Sequence, residues 1–164
     1  MKSAGFIHLH NHSEYSLLDG MLRINAGDGK PSDFLKGLAA RKVPALAFTD
    51  HGNMYGAMEF YFTASAAGVI PIIGCEVYTA KGSRLLKDKT SSRRDNGHLT
   101  ILAQNHTGYQ NLMKLVSNSF LEGFYHDPRI DLETLARHHE GLVALSGCLK
   151  SHVARACAVG EIDE

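Results

Sequence analysis

The chain alternates short apolar runs with longer stretches of helical periodicity, and this alternation restricts its fold more than any other feature of the sequence. Apolar runs of this length predict buried strands, and the periodic stretches predict helices. The predicted strands span residues 5–9, 45–49, 69–77, 98–103 and 142–145, and the predicted helices span residues 33–41, 55–67, 108–121, 132–138 and 150–159. Because strands and helices take turns along the chain, we expect an α/β fold in which helices cover parallel strands, as an open sheet or a barrel.

A length of 164 residues and a globular composition favour a single domain with one core, or part of a larger domain. Apolar residues make up 44% of the chain and charged residues 21%, which excludes an intrinsically disordered protein. No apolar run approaches the roughly 20 residues that span a bilayer, and the N-terminus lacks the apolar core of a signal peptide, so we expect no membrane association. Three cysteines without paired spacing argue against disulfides and for the reducing cytoplasm.

Histidine is abundant, with ten residues in the chain, and three of them alternate at the end of the first predicted strand. His8, His10 and His12 would point to one face of an extended strand, because alternate side chains share a face. Imidazole is a good ligand for zinc, manganese and iron. A solvated polar strand face is the alternative interpretation of the same residues, so the His-x-His pattern alone does not establish a site.

Other groups able to bind metal lie at or near the ends of the later predicted strands. Glu76 is the most informative, because an ionised carboxylate among apolar neighbours requires a cation or strong hydrogen-bond donors. Sites in α/β folds assemble at the C-terminal edge of parallel strands, so we expect these groups to form a metal cluster with the histidines. We assign Asp50 the role of orienting its neighbours rather than binding metal. The metal-capable groups are His51 after residues 45–49, Glu76 within 69–77, His98 at the start of 98–103 and Cys148 after 142–145.

Six sequence stretches resemble, in order, the PHP (polymerase and histidinol phosphatase) domain. The similarity is greater still to the N-terminal PHP domain of the C-family bacterial replicative DNA polymerases, the polymerase III α subunits. It runs from about residue 6 to about residue 150. The stretches are FIHLHNHSEYSLLDG, FTDHGNMYGAMEFY, IPIIGCEVY, HLTILAQNHTGYQNLMKLVS, EGFY and EGLVALSGC.

The resemblance implies a distorted (β/α)7 TIM-like barrel that holds up to three divalent metal ions at the C-terminal ends of its strands. Mixed nitrogen, oxygen and sulfur ligands favour zinc or manganese over magnesium. The family closes its site with a later Asp-x-His motif. Because no match follows Cys148, we expect residues 1–164 to be an incomplete, N-terminal part of the PHP domain that lacks the last strands. His8 precedes the aligned pair and is left out. Seven residues carry over as metal ligands: His10, His12, Asp19, His51, Glu76, His98 and Cys148.

The function implied by the resemblance is that of the metal-binding N-terminal domain of a replicative DNA polymerase. It would have a metal-dependent 3′–5′ exonuclease or phosphoesterase activity, or a structural role. In such an activity His10, His12 and Glu76 would act through the bound metal, which generates hydroxide from water near neutral pH. The implied partners are DNA, reached through the parent polymerase, the rest of the polymerase III α chain and the other holoenzyme subunits.

Two other functions remain open on the sequence alone. A stand-alone PHP phosphoesterase acting on a small phosphomonoester or a nucleotide would need the same chemistry. A non-enzymatic scaffold would use the metal to hold the fold and its surface to bind a polymerase body or a proofreading subunit.

Residues 79–97 form a polar segment with six basic and two acidic residues, which we predict to be a loop. Lysine and arginine side chains in it could bind the phosphates of template or product DNA. A solvated loop without DNA contacts explains the same composition and is slightly favoured.

Overall fold

The computed structural model describes residues 5–87, 93–146 and 148–160. It shows an α/β fold with a mixed sheet, and the chain divides into two compact units, Met1–Cys75 and Glu76–Glu164. The division falls inside one strand, so that strand contributes its beginning to the first unit and its end to the second. None of the helices in the described part is long and apolar enough to cross a membrane.

The first unit, in its described part, is built around a strand–helix–strand arrangement. Helix α1 (Asp33–Ala40) precedes strand β1 (Ala45–Phe48), and helix α2 (Ala57–Ala66) connects β1 to strand β2 (Ile70–Thr79). Strand β1 pairs in parallel with the beginning of β2 over four residue pairs. Parallel pairing needs a long crossover connection, which α2 provides.

The apolar sides of these elements form the core of the first unit. Leu35 on α1, Leu46 on β1 and Phe60 on α2 are at most 1% exposed. The rings of Phe48 and Phe60 meet edge to face with their centroids 4.6 Å apart. Burying a side chain of this size is worth roughly 1.5–3 kcal/mol, so these contacts fix the end of β1, where the candidate site begins.

The second unit contains the end of β2 and, within its described part, three further strands and three α-helices. They are β3 (Gly97–Ala103), α3 (His106–Leu121), β4 (Arg129–Ile130), α4 (Leu132–Arg137), β5 (Leu142–Leu145) and α5 (His152–Val159). The end of β2 pairs in parallel with β4, whereas β3 pairs with β5 in antiparallel orientation. The second unit therefore contains both types of strand pairing.

Most predicted elements are confirmed, with differences of a few residues at their ends. Strand β5 has the predicted bounds, and the helix predicted for residues 33–41 is observed as α1. Ser32 caps α1, because its hydroxyl accepts a hydrogen bond from Leu35 N–H at 3.3 Å. Gly160, with φ of 78°, ends α5 in the left-handed conformation that favours glycine.

The expectation that all strands are parallel is wrong. Strand β5 runs antiparallel to β3, with Leu145 opposite Thr100 and Leu142 opposite Ala103. Alternation of strands and helices does not specify which strand becomes the neighbour of another. Because the side chains of the short β5 are all at least partly exposed, its apolar pattern carries little information on its partner or direction.

The prediction of a strand over residues 5–9 is also wrong. In place of a strand, the structure has an isolated bridge between His8 and Leu46 of β1. Ala47 N–H donates to His8 O at 2.9 Å, and Thr49 N–H donates to Asn11 O at 2.8 Å. Between these hydrogen bonds the first segment advances three residues while β1 advances two, so one extra residue interrupts the ladder, as in a β-bulge. Regular alternation is broken between His8 and Asn11, so His8, His10 and His12 are not placed on one face by strand geometry, as we had predicted.

The polar segment 79–97 is only partly the solvated loop that we predicted. Strand β2 extends to Thr79, and residues Arg93–Asp95 form a 3-10 turn. Arg84 is buried, with an exposed fraction of 6%, so this cation is not available to solvent. Residues 88–92, which include Lys89, lie outside the described residues.

Arg84 belongs to a buried network of charges in the second unit. Its guanidinium donates to Asp131 at 3.1 Å and to Glu122 at 3.0 Å. Asp131 also caps α4, because its Oδ1 accepts the N–H of Thr134 at 2.9 Å. Burial raises the pKa of Asp131, but the hydrogen bonds from Arg84 and Thr134 outweigh burial and lower this pKa to about 2. The network thus holds the segment after β2 against α3 and α4.

Replacing Asp131 by asparagine is expected to destabilise the protein at neutral pH, because Arg84 loses a buried counter-charge. The folded-state pKa of Asp131, about 2, lies below its ordinary value of 3.8. The ionised carboxylate therefore stabilises the fold above about pH 4, and this contribution is lost as the pH falls towards 2. The difference in pKa corresponds to roughly 2 kcal/mol of unfolding free energy. Denaturant unfolding between about pH 2 and pH 7 measures it.

Glu133→Gln is the matched control, because Glu133 is exposed and lies 3.7 Å from the same guanidinium. We expect this exposed pair to contribute less than about 1 kcal/mol. Equal stability of Asp131→Asn and the wild type at pH 7 would contradict the role of the network.

Candidate metal centre

Three of the predicted ligands lie together in the first unit. The His12 ring stacks on the His51 ring, with centroids 4.1 Å apart and planes 12° from parallel. The His10 ring meets His12 edge to face at 5.1 Å. His51 follows the end of β1, and the other two lie in the segment that bridges to β1. His10 is exposed and the other two are half-buried, so solvent reaches this cluster.

A fourth predicted ligand, Asp19, contacts the same cluster. Its Oδ2 lies 2.7 Å from His51 Nε2, at the end of the 3-10 segment Glu14–Asp19. The Asp19 side chain is 75% exposed, whereas that of His51 is 15% exposed. Several imidazoles beside a carboxylate oxygen form a donor set that zinc and manganese bind well. The chemistry of these residues therefore fits a divalent ion.

Asp50 is engaged by other groups in the same unit. Its Oδ1 accepts hydrogen bonds from Ser13 N–H at 2.7 Å and from the Ser16 hydroxyl at 2.6 Å. Its Oδ2 accepts the Ser13 hydroxyl at 2.6 Å, and the residue is 5% exposed. Because both oxygens already have donors, this geometry suits a residue that positions its neighbours.

Ser13 and Ser16 both donate hydrogen bonds to Asp50, a role that was not predicted for either serine. Ser16 Oγ also accepts the N–H of His51 at 3.1 Å and lies 3.4 Å from His12 Nδ1. A signal was present, since Ser16 stands in the first stretch that resembles the PHP domain. No pattern of residue types indicated that its hydroxyl would join the two histidine-bearing segments.

In the second unit, Glu76 and His98 form a close pair. Glu76 Oε1 lies 2.8 Å from His98 Nδ1, and the side chains are 2% and 11% exposed. The Tyr78 ring meets the His98 ring edge to face at 5.0 Å. A carboxylate buried this deeply requires a strong polar partner, and the imidazole provides one.

Cys148 lies at the same edge of the second unit's sheet as His98, for a reason that the sequence did not indicate. His98 stands at the beginning of β3, and Cys148 follows the end of β5; antiparallel pairing brings these two ends together. His98 N–H donates to Lys150 O at 3.3 Å. Among the described residues, the contacts recorded for Cys148 are with Lys150 N–H at its Sγ and with Ser151 N–H at its carbonyl, rather than with the Glu76–His98 pair.

The backbone before His98 is held closely by its neighbours. His152, the first residue of α5, has Nε2 3.2 Å from Asp95 O. A Cβ atom at Gly97 would lie 2.6 Å from His152 Cδ2 and 2.7 Å from Thr79 Oγ1. Glycine at this position therefore allows the close approach that sets the start of β3.

Comparison with known proteins gives a consistent result. The family model of the PHP domain matches residues 8–164. The DNA polymerase III subunit alpha of Thermus aquaticus is 50% identical over 152 residues, and that of Chlamydia pneumoniae is 48% identical over 151 residues. The alignments cover 90% and 92% of this chain but 12% of each relative. The chain thus spans about an eighth of the length of these relatives.

Among solved structures, an amidohydrolase from Chromobacterium violaceum with bound sulfate and no metal is 25% identical to the chain. The match covers 68% of this chain and 32% of that one, with a TM-score of 0.44. An overlap of this size is too small to support a functional argument.

Replacing Gly97 by alanine is expected to destabilise the protein by roughly 1–3 kcal/mol, because the added methyl group overlaps His152 and Thr79. Denaturant unfolding of the two proteins measures the difference. Gly82→Ala is the matched control, since no atom lies within 4 Å of the Cβ that it would add. If both variants were as stable as the wild type, the close packing at the start of β3 would not be a constraint.

Proposed function

The chain belongs to the PHP domain family, and from this we infer that it is the divalent-metal-binding N-terminal PHP domain of a bacterial replicative DNA polymerase, a polymerase III α subunit. The observation that carries the proposal is the cluster of His12, His51 and Asp19, in which a carboxylate oxygen lies 2.7 Å from an imidazole nitrogen. Identities of 50% and 48% to two polymerase subunits support the assignment to that branch of the family.

The proposal extends to the fold. Residues 1–164 would belong to one PHP domain with the fold of a distorted (β/α)7 TIM-like barrel. The family match supports a single domain, because it covers residues 8–164 and so includes parts of both compact units. The mixed strand pairing of the second unit would then be one of the distortions of the barrel.

The proposed ligands are divided between the two units. Nitrogen and sulfur donors among them favour zinc or manganese, with up to three ions in a complete domain. Such an ion lowers the pKa of bound water towards neutrality and polarises a phosphoryl oxygen. The ligands are His10, His12, Asp19 and His51 in the first unit, and Glu76, His98 and Cys148 in the second.

The chain's own residues would divide the remaining work. His10 is the most exposed imidazole of its cluster, so it lies where a phosphoester could enter from solvent. Asp19 orients the His51 ring through the contact at Nε2. The Asp50 carboxylate fixes the backbone before the 3-10 segment through Ser13. In the second unit, His98 orients the buried Glu76 carboxylate.

The activity proposed for these residues is metal-dependent hydrolysis of a phosphodiester at the 3′ end of DNA. His10, His12 and Glu76 would act in it through the bound metal. The substrate would be DNA bound by the parent polymerase in the cytoplasm, together with the rest of the α chain and the other holoenzyme subunits. A stand-alone phosphoesterase would instead prefer a small phosphomonoester, and a scaffold would bind metal without hydrolysing either substrate.

Replacing His10 or His12 by alanine is expected to lower the bound zinc or manganese, because each change removes one proposed imidazole ligand. Loss of a residue that hydrogen-bonds to a metal ligand typically lowers metal affinity by roughly 10–100-fold. Loss of a ligand itself should lower the affinity at least as much. Elemental analysis of the purified protein after dialysis measures the bound metal. Hydrolysis of 3′-labelled single-stranded DNA and of a phosphomonoester measures the activity.

His8→Ala is the matched control, because His8 is an exposed histidine of the same segment that lies outside the proposed ligand set. It should keep both the metal and the activity. Equal metal content in the wild type and the double variant His10→Ala/His12→Ala would contradict the proposed ligands. Metal loss without any hydrolysis in the wild type would favour the scaffold.

A further inference from the structure

We propose that Ser16 is a positioning residue that fixes the His12 imidazole in its Nδ1-protonated tautomer, so that the lone pair of Nε2 is the one offered to a divalent ion. The tautomer assignment depends on hydrogen bonds within the first unit. Its consequence for metal binding rests on the proposed function.

The Ser16 hydroxyl has one hydrogen to donate and two lone pairs with which to accept hydrogen bonds. Its Oγ lies 2.6 Å from Asp50 Oδ1, 3.1 Å from His51 N and 3.4 Å from His12 Nδ1. The backbone N–H of His51 can only donate, so it occupies one lone pair. The other two contacts decide where the single hydrogen goes.

The Ser16 hydroxyl donates its hydrogen to the carboxylate of Asp50. An ionised carboxylate only accepts, and the short distance of 2.6 Å is typical of a hydroxyl that donates to a charged oxygen. Ser13 donates to the same carboxylate through its N–H and its hydroxyl, so every hydrogen bond recorded for this buried group arrives from a donor. The Ser16 hydroxyl therefore has no hydrogen left for His12.

In the remaining contact, His12 must therefore donate the hydrogen bond and Ser16 must accept it. With its hydrogen committed to Asp50 and one lone pair occupied by His51 N–H, the hydroxyl oxygen can only accept from the imidazole. A neutral imidazole with its hydrogen on Nδ1 carries its lone pair on Nε2. Stacking against the His51 ring at 4.1 Å further restricts rotation of the His12 ring.

The same hydroxyl therefore sets two features of the cluster. It accepts the backbone N–H of His51 and the ring N–H of His12, and through Asp50 it is tied to the end of β1. A histidine ligand binds metal through the nitrogen that lacks hydrogen, and a partner on the other nitrogen commonly fixes which one that is. Ser16 fills this role for His12 with a hydroxyl in place of the more usual carboxylate or carbonyl.

Nuclear magnetic resonance of the metal-free protein tests the tautomer directly. Protein labelled with ¹⁵N-histidine is measured at about pH 8, and the ring ¹⁵N shifts report directly whether His12 is neutral. Long-range ¹H–¹⁵N correlations distinguish the ring nitrogen that carries hydrogen from the one that does not. The signals of His12 are assigned by their loss in His12→Gln. The wild type should show His12 with hydrogen on Nδ1.

Ser16→Ala should move the His12 population towards the Nε2-protonated form, and Ser16→Thr, which keeps a hydroxyl, should restore the wild-type tautomer. His8 serves as the internal reference, because it is exposed and should not respond to either change. A hydrogen on Nε2 of His12 in the wild type would overturn the proposal, and so would an unchanged tautomer in Ser16→Ala.

Competition of Zn²⁺ with a chelating dye measures the consequence for metal binding. Ser16→Ala should weaken zinc binding by roughly 10–100-fold, as loss of an outer partner does, and Ser16→Thr should recover most of it. Ser65→Ala, an exposed serine on α2, is the matched control and should bind zinc as the wild type does. A Ser16-dependent tautomer in a protein that binds no zinc would uphold the role of Ser16 and overturn the metal site. Unchanged zinc affinity in a Ser16→Ala protein with an altered tautomer would overturn the link between the two.

Discussion

The buried carboxylate of Asp50 is the contact on which the arrangement of the first unit's candidate ligands depends. Asp50 lies two residues after the end of β1, whose position is fixed by the apolar core, and it is 5% exposed. Its oxygens bind Ser13 and Ser16, which frame the start of the 3-10 segment. An unpaired charge at this depth would be costly, so the three donors are a condition of the fold as well as of the site. The position of His12 follows from this anchor.

The second unit also contains a buried carboxylate that is stabilised by a polar partner. Glu76 lies inside β2, and His98 at the start of β3 gives it a partner at 2.8 Å. The beginning of β3 is in turn packed closely at Gly97, where an added Cβ would force the side chains of His152 and Thr79 to shift. Further along, Arg84 and Asp131 form another buried pair that holds the segment after β2. In both units, buried carboxylates with hydrogen-bonding partners determine where the candidate ligands lie.

How much the sequence could predict differed between residues for physical reasons. Glu76 could be predicted as a candidate ligand because a carboxylate in an apolar strand needs a polar partner. His51 could be predicted because it follows a clear apolar run. The common face of His8, His10 and His12 could not be predicted correctly, since one extra residue interrupts the bridge to β1 and such a bulge leaves no mark in the apolar pattern. The role of Ser16 depends on contacts across 34 positions of the chain, which local patterns do not encode. The direction of β5 could not be predicted either. Its side chains are all at least partly exposed, so its sequence lacks the alternation of apolar and polar residues that would indicate a partner strand.

X-ray absorption spectroscopy of the zinc-loaded protein tests the central claim, that these histidines and carboxylates bind a divalent ion. The account predicts nitrogen and oxygen ligands at about 2.0–2.2 Å, a sulfur ligand at about 2.3 Å from Cys148, and the multiple-scattering signature of coordinated imidazole. This signature should weaken when His10 and His12 are replaced by alanine. A spectrum with water oxygens alone around zinc, or one that is the same in the wild type and the double variant, would contradict it.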